Sequence, residues 1–301
     1  MIYGILTYAL WGLFPGYFPL LEPASPVEIL CHRILWAMVI MVIYTTVRRR
    51  WGELRTAGAG TWLRMAAAGF LITANWFVYI LAVNSGNVAD AALGYFINPL
   101  VSVLLGMIVL GERLRRLQLL AVATACVGVA YLAIIGGHPP YISLALALSF
   151  GFYGLLKKKV HVSSAGSLTA ETLVIAPWAL IGIIVSGVQG TATFLTLGVG
   201  HDLLLLSSGV VTAVPLLLFG LGAKSLSLST IGMLQYLTPT MQLLWAVFIT
   251  QESISAERWV AFAFIWVAVL LYLTDVVQHR PRRAAARRSA PTGHPTEEPR
   301  R

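Results

Sequence analysis

The chain has 301 residues, 58% of them hydrophobic and only 11% charged, and a mean hydropathy of +0.80. A soluble chain carries roughly 25% charged residues, so a water-soluble enzyme or binding module is excluded and a polytopic membrane protein is expected. The net charge of +9 invites a nucleic-acid reading, which its placement along the chain argues against.

Apolar runs of about 20 residues can cross a bilayer core as helix. Ten are expected, over 2–21, 26–47, 63–84, 87–110, 116–135, 140–156, 167–187, 202–223, 228–250 and 258–277. The class is therefore an all-α integral membrane protein. No basic residue precedes the apolar run that begins at Ile2, as a cleavable leader would require, so residues 2–21 read as the first span. That span carries Trp11, Tyr17 and the segment "GLFPG" (12–16), whose small residues four apart suit close helix contact.

Span two opens "VEILCHRILW" (27–36). Glu28 and His32, four apart, share a helix face. They suit a proton-sensitive pair, while an acid at a helix start also satisfies the dipole. Arg33 follows. Intramembrane charge is functional by default, yet in the outer half of the span Arg33 can also snorkel. Span three offers Asn75 and Trp76. Span four holds Tyr95, Asn98 and Pro99, with Asn87 and Asp90 in a capping arrangement at its start and Glu112 at its end, where loop locking is expected. Tyr153 in span six, Glu171 early in span seven, and Gln235, Tyr236 and Pro239 in span nine complete the polar and aromatic candidates for a substrate pathway. Each can instead bond a neighbouring helix. Cys31 and Cys126 fall in apolar spans and read as buried thiols.

Lys and Arg in short loops mark the cytoplasmic side. Arg48, Arg49, Arg50 and Arg55, then Arg113, Arg115 and Arg116, then Lys157, Lys158 and Lys159 occupy alternate loops, while the loops near 22–26, 85–87, 136–139 and 188–201 have none. With both termini cytoplasmic, every Lys and Arg except Arg33 and Arg258 lies at or near that face. The charge orients the protein, and no nucleic-acid partner is expected. The segment 278–301, rich in Pro, Ala and Arg, reads as a disordered cytoplasmic tail able to touch anionic lipid heads.

"GYFINPLVSVLLGMIVLGE" (94–112) and "LQYLTPTMQLLWAVFITQE" (234–252) align without gaps: Pro99 on Pro239 and Glu112 on Glu252, both 140 positions apart. A unit of that length holds five spans, an odd number, so the second copy enters the membrane inverted. Two repeats, 1–137 and 138–277, are expected. Inverted repeats around interrupted helices point to secondary transporters with a midplane site. The paired prolines then suit broken backbone beside a cavity, although proline kinks are also common in membrane helices.

No Walker-type phosphate loop, H-E-x-x-H metal motif or G-x-S-x-G elbow occurs. Neither a cofactor, a metal site nor an enzyme activity is expected.

Together "WGLFPGYF" (11–18), "EILCHRILW" (28–36), "LGYFINPLV" (93–101), "LGERLRRLQ" (110–118), "LSFGFYGLLKKK" (148–159) and "LQYLTPT" (234–240) resemble RarD-type proteins of the EamA family, in the drug/metabolite transporter superfamily. The likeness runs through all ten spans. It departs at Pro19, where such proteins often carry Lys, and at Asp90–Ala91–Ala92, where they often read Glu-Ala-Ser. The resemblance implies a ten-helix inner-membrane permease of two inverted repeats, for which chloramphenicol sensitivity or resistance is a common label. The expected function is a permease for small organic metabolites or drugs. A non-transporting receptor or scaffold is the alternative, and a homodimer is left open.

Overall fold

A computed structural model describes residues 1–85, 87–136, 139–251 and 253–288. Among the described residues there is no strand. In chain order the helices are α1 (Ile2–Gly12), α2 (Phe14–Tyr17), a 3₁₀ turn (Phe18–Leu21), α3 (Pro26–Val47), α4 (Trp51–Arg55), α5 (Ala59–Asn84), α6 (Val88–Leu110), α7 (Arg116–Gly136), α8 (Tyr141–Lys159), α9 (Ser164–Val188), α10 (Val199–Ser225), α11 (Leu228–Gln235), α12 (Leu237–Phe248) and α13 (Ala256–Arg288).

Seven of these are long and apolar enough to cross a membrane: α3, α5, α6, α7, α9, α10 and α13. The pair formed by α1 with the following segment, bent by 40°, makes up to eight. Two expected spans fall short of that measure. One is α8, which ends in three lysines; the other is split into α11 and α12.

Local chemistry sets several helix ends. Ser25, Ser163 and Ser227 each accept a backbone N–H in the first turn of α3, α9 and α11, satisfying a donor the helix leaves orphaned. Gly111, at φ +64°, ends α6 in the left-handed conformation that glycine adopts without strain. At the start of α6 the Asn87 side chain makes no cap bond, so that part of the expected capping arrangement is absent. The last helix runs on to Arg288, through the first part of the segment expected to be a tail; residues 289–301 lie outside the described residues.

The "GLFPG" expectation has a direct counterpart. A Cβ on Gly12 would lie 2.6 Å from Met241, and one on Gly16 2.4 Å from Trp245. Only glycine allows the first segment to approach α12 this closely.

One core joins α1, α3, α5, α8, α9, α10 and α11 around Tyr8, Phe150, Tyr153 and Phe219. A second joins α6, α7, α11, α12 and α13 around Phe96, Tyr236, Phe262 and Tyr272. The main helix contacts are α3 with α9 and α10, α5 with α8 and α9, α6 with α8 and α11, α1 with α10 and α12, and α7 with α13.

Candidate functional site

Beside the first core is a small, half-open cavity of about 20 Å³, large enough for roughly one water. It lies between α3, α5, α9 and α10, with Ile34, Ile72, Trp76, Glu171, Thr172 and Thr212 among its walls. Arg33 is not part of its lining but contacts two residues of its wall, Thr212 and Trp76. Its Nε donates to Thr212 Oγ1 at 3.0 Å, and its guanidinium carbon lies 4.5 Å from the centre of the Trp76 ring, 5.1 Å from Phe18 and 5.8 Å from Phe14. Tyr95 and Tyr17 lie within electrostatic range. Arg33 makes no ion pair with any described residue. An Arg at the centre of a helix span costs at least ~2.5 kcal/mol on insertion scales. A desolvated cation over an aromatic face returns about 2 kcal/mol, so three rings can hold this charge in place without an acid.

Glu28 and His32 share a face of α3, but their bonds diverge. The Glu28 carboxylate is buried and turns to the segment between α9 and α10. It accepts the Thr193 N–H at 2.7 Å, the Phe194 N–H at 3.1 Å and the Thr193 hydroxyl at 3.1 Å. His201 Nε2 lies 2.8 Å from that hydroxyl; because the hydroxyl donates to Glu28, the ring nitrogen donates to it. His32 Nδ1 accepts from Trp36 Nε1 at 3.0 Å, and its ring packs on Phe194 at 4.7 Å. Its Nε2 is buried without a partner. No bond joins Glu28 to His32. They meet through Phe194, which each holds in its own way.

Glu171 belongs to a second charge cluster. It accepts from Lys157 Nζ at 2.7 Å, Ser167 Oγ at 2.5 Å and the Tyr153 hydroxyl at 3.3 Å. Lys157 is 0% exposed and Glu171 2%. This corrects the reading of Lys157 as a loop residue: α8 runs through Lys159, and the Lys157 ammonium turns inward. Three successive lysines look like a solvated charge run. Only the bonds of Lys157 to Ser167 and Glu171 on α9 separate the first of them from the other two.

The residues near the paired prolines gather elsewhere. α6 continues through Pro99 instead of breaking there, and Pro239 sits in the first turn of α12, where its missing N–H costs nothing. The second motif does break, at Tyr236. The two regions pack on each other: the Tyr236 hydroxyl donates to the Phe96 carbonyl at 3.1 Å, and a Cβ on Gly232 would come within 2.7 Å of the Pro99 carbonyl oxygen. Asn98 Oδ1 and Gln235 Oε1 are buried without partners. None of Asn98, Pro99, Gln235, Tyr236 and Pro239 lines the cavity beside Arg33. Irregular backbone at this depth needs cover, and here a facing helix supplies it.

The remaining candidates tie helices together. Asn75 Nδ2 donates to the Leu146 carbonyl at 2.8 Å and Ser149 Oγ at 2.9 Å, joining α5 to α8. The Tyr17 hydroxyl bonds the Leu204 carbonyl at 2.9 Å and Ser207 at 2.8 Å. Trp11 packs edge-on to Phe150 at 5.7 Å, and Tyr95 packs on Tyr79 at 5.7 Å.

The segment after α6 is locked as expected. Glu112 accepts the Leu228 N–H at 2.6 Å, the Ser229 N–H at 2.9 Å and the Ser229 hydroxyl at 2.7 Å, capping α11 from the other half of the chain. Arg115 pairs with the buried Asp275 on α13. Glu252, its expected counterpart, lies outside the described residues. Among the described residues no group of three His, Cys, Asp or Glu could hold a metal ion.

Residues 1–134 match the EamA-like transporter family. The chain is 44% identical over 300 residues to "Protein RarD" of Streptomyces exfoliatus, covering 97% of this chain and 94% of the relative. It is 47% identical over 284 residues to "Uncharacterized transporter YojE" of Bacillus subtilis, covering 92% and 94%. A solved structure titled "Crystal structure of protein" superposes with a TM-score of 0.71 at 18% identity, over 90% of this chain and 96% of that one, a likeness of fold alone. On the strength of these full-length matches, the chain belongs to the EamA-like transporter family, among the RarD proteins.

Proposed function

We propose that this protein is a secondary transporter of small organic molecules, working by alternating access between two inverted five-helix repeats, 1–137 and 138–277. The packing supports the repeat. Pair α1 with α8, α3 with α9, α5 with α10, α6 with α11 and α12, and α7 with α13. Under that exchange the contact of α5 with α8 becomes that of α10 with α1. Likewise α5 with α9 becomes α10 with α3, and α6 with α8 becomes α12 with α1. The contacts of α3 with α9, α6 with α11 and α7 with α13 map onto themselves, as pairs on a two-fold axis do. In this reading α8 and the α11–α12 pair also cross the membrane, making ten spans with both termini in the cytoplasm of the cell's inner membrane.

The observation that carries the transport reading is the position of the cavity. Two helices of each half, α3 with α5 and α9 with α10, form its walls, so a rocking motion between halves would open it to one side at a time. The experiment is a paired metabolite profile of cells and medium, with chloramphenicol among the added compounds, comparing a deletion strain with its complement. The expected result is at least one small organic compound redistributed by the complement. A compound that binds the purified protein but is never redistributed would favour a receptor instead.

A further inference from the structure

We propose that Arg33 is an anion-binding residue beside the cavity, and that the substrate class is an organic monocarboxylate with an aromatic or apolar body. The inference rests on the transport reading for the word substrate, but its geometry is independent of it.

An Arg this deep in a span is usually paired with an acid. Here the acids nearest the cavity are committed elsewhere. Glu171 bonds Lys157, Ser167 and Tyr153, and Glu28 is saturated by Thr193 and Phe194. Among the described residues the only hydrogen bond Arg33 makes is from Nε to Thr212. Among the described residues neither terminal amino group has an acceptor, and neither is among the fully enclosed, unpartnered atoms. They therefore present an end-on fork of donors beside the cavity. Thr212 anchors the inner edge of the guanidinium, while Trp76, Phe18 and Phe14 fix its plane. Such a fork matches the two oxygens of a carboxylate.

Charge and lining narrow the class. Lys157 and Glu171 cancel, so Arg33 leaves the chamber with a single positive charge, which suits a monoanion better than a phosphate dianion. The cavity holds roughly one water as it stands, so the rest of the molecule would enter only as the two halves part, against the apolar wall of Trp76, Ile34 and Ile72. The threefold aromatic contact also explains how the charge persists when no ligand is bound.

The test uses purified full-length protein in detergent and three probes of matched shape: phenylacetate, phenylacetamide and phenethylamine. An aliphatic set, hexanoate with its amide and amine, accompanies them. Binding is read by thermal shift and equilibrium dialysis. At least one acid is expected to bind wild type tenfold or more tightly than its amide and amine. Arg33→Gln should lose that preference, and Arg33→Lys should retain part of it. Equal binding of acid and amide, preference for the amine, or binding of no acid by wild type would overturn the proposal. The wild-type comparison stands even where a variant fails to fold. Reconstitution separates the two readings. Acid binding without flux in proteoliposomes would sink transport and keep the anion site. Flux of a neutral or cationic compound that neither acid inhibits would keep transport and sink the anion site.

Discussion

Replacing Lys157 with Met would leave the Glu171 carboxylate buried, with only the Ser167 and Tyr153 hydroxyls as partners. Both members of this pair are almost wholly enclosed, at 0% and 2% exposure, so neither charge can recover hydration by a rotamer change. Removing one partner of such a pair costs about 3–5 kcal/mol, whereas replacing both by apolar groups of similar volume is often neutral or stabilising. Lys157→Met is expected near the lower end of that range, because two hydroxyls remain to Glu171. Glu171→Leu is expected nearer the upper end, because the ammonium keeps one hydrogen bond, to Ser167, and a 5.8 Å approach to the Tyr153 ring. The double variant should recover most of both losses. The assay is a reversible unfolding titration in mixed micelles on all four proteins, analysed as a double-mutant cycle. A double variant whose loss equals the sum of the single losses would refute the claim that these charges are held by each other.

Two further outcomes follow from residues between the spans. Glu112→Ala removes the acceptor for two backbone donors at the start of α11. Hydrogen bonds to a charged group contribute roughly 1.5–3 kcal/mol each way of accounting, so a loss of about 2 kcal/mol is expected, with faster amide hydrogen exchange at Leu228 and Ser229 as the local readout; unchanged exchange there would discount the cap. Glu53 lies on α4, between spans. The Ser163 hydroxyl first, then the Ser163 N–H and the Arg50 and Lys224 charges, hold its carboxyl below the usual carboxylate range against the opposing effect of burial. A depressed folded value means the contribution is fully present above the unfolded value of about 4.3 and is lost as pH falls through the folded one. The stability of wild type should therefore drop more steeply below about pH 4 than that of Glu53→Gln, and parallel curves would contradict it.

The helices themselves were largely legible in the sequence, because burial in lipid demands long uninterrupted apolar runs and α3, α5, α6, α7, α9 and α10 follow theirs closely. The glycines of "GLFPG" and the locking role of Glu112 were legible for similar reasons: small residues at helical spacing and an acid at a span end have few uses. The site was legible only as a set of names. Arg33 and Trp76 could be suspected from their depth, but nothing in the spacing brings α3 and α5 together around one guanidinium. Phe14 and Phe18 stood out only as members of "WGLFPGYF", with nothing to tie them to Arg33, and Thr212 gave no sign, being an ordinary residue in a membrane span. Lys157 was hidden in a run of three lysines whose composition favours a solvated loop. The paired prolines pointed to a cavity; their regions pack against each other, and neither proline lines the cavity beside Arg33.

By itself, then, the sequence determined that this chain lives in a membrane, where most of its helices begin and end, and that two segments 140 positions apart share one pattern. Those properties depend on transfer from water to lipid and on local backbone chemistry, which act residue by residue along the chain. Tertiary structure alone decided which charges are paired. Lys157 faces Glu171 across 14 positions and Arg33 reaches Thr212 across 179. In a medium that penalises every unpaired charge, such long-range pairings separate a structural ion pair from a cation that no described acid pairs.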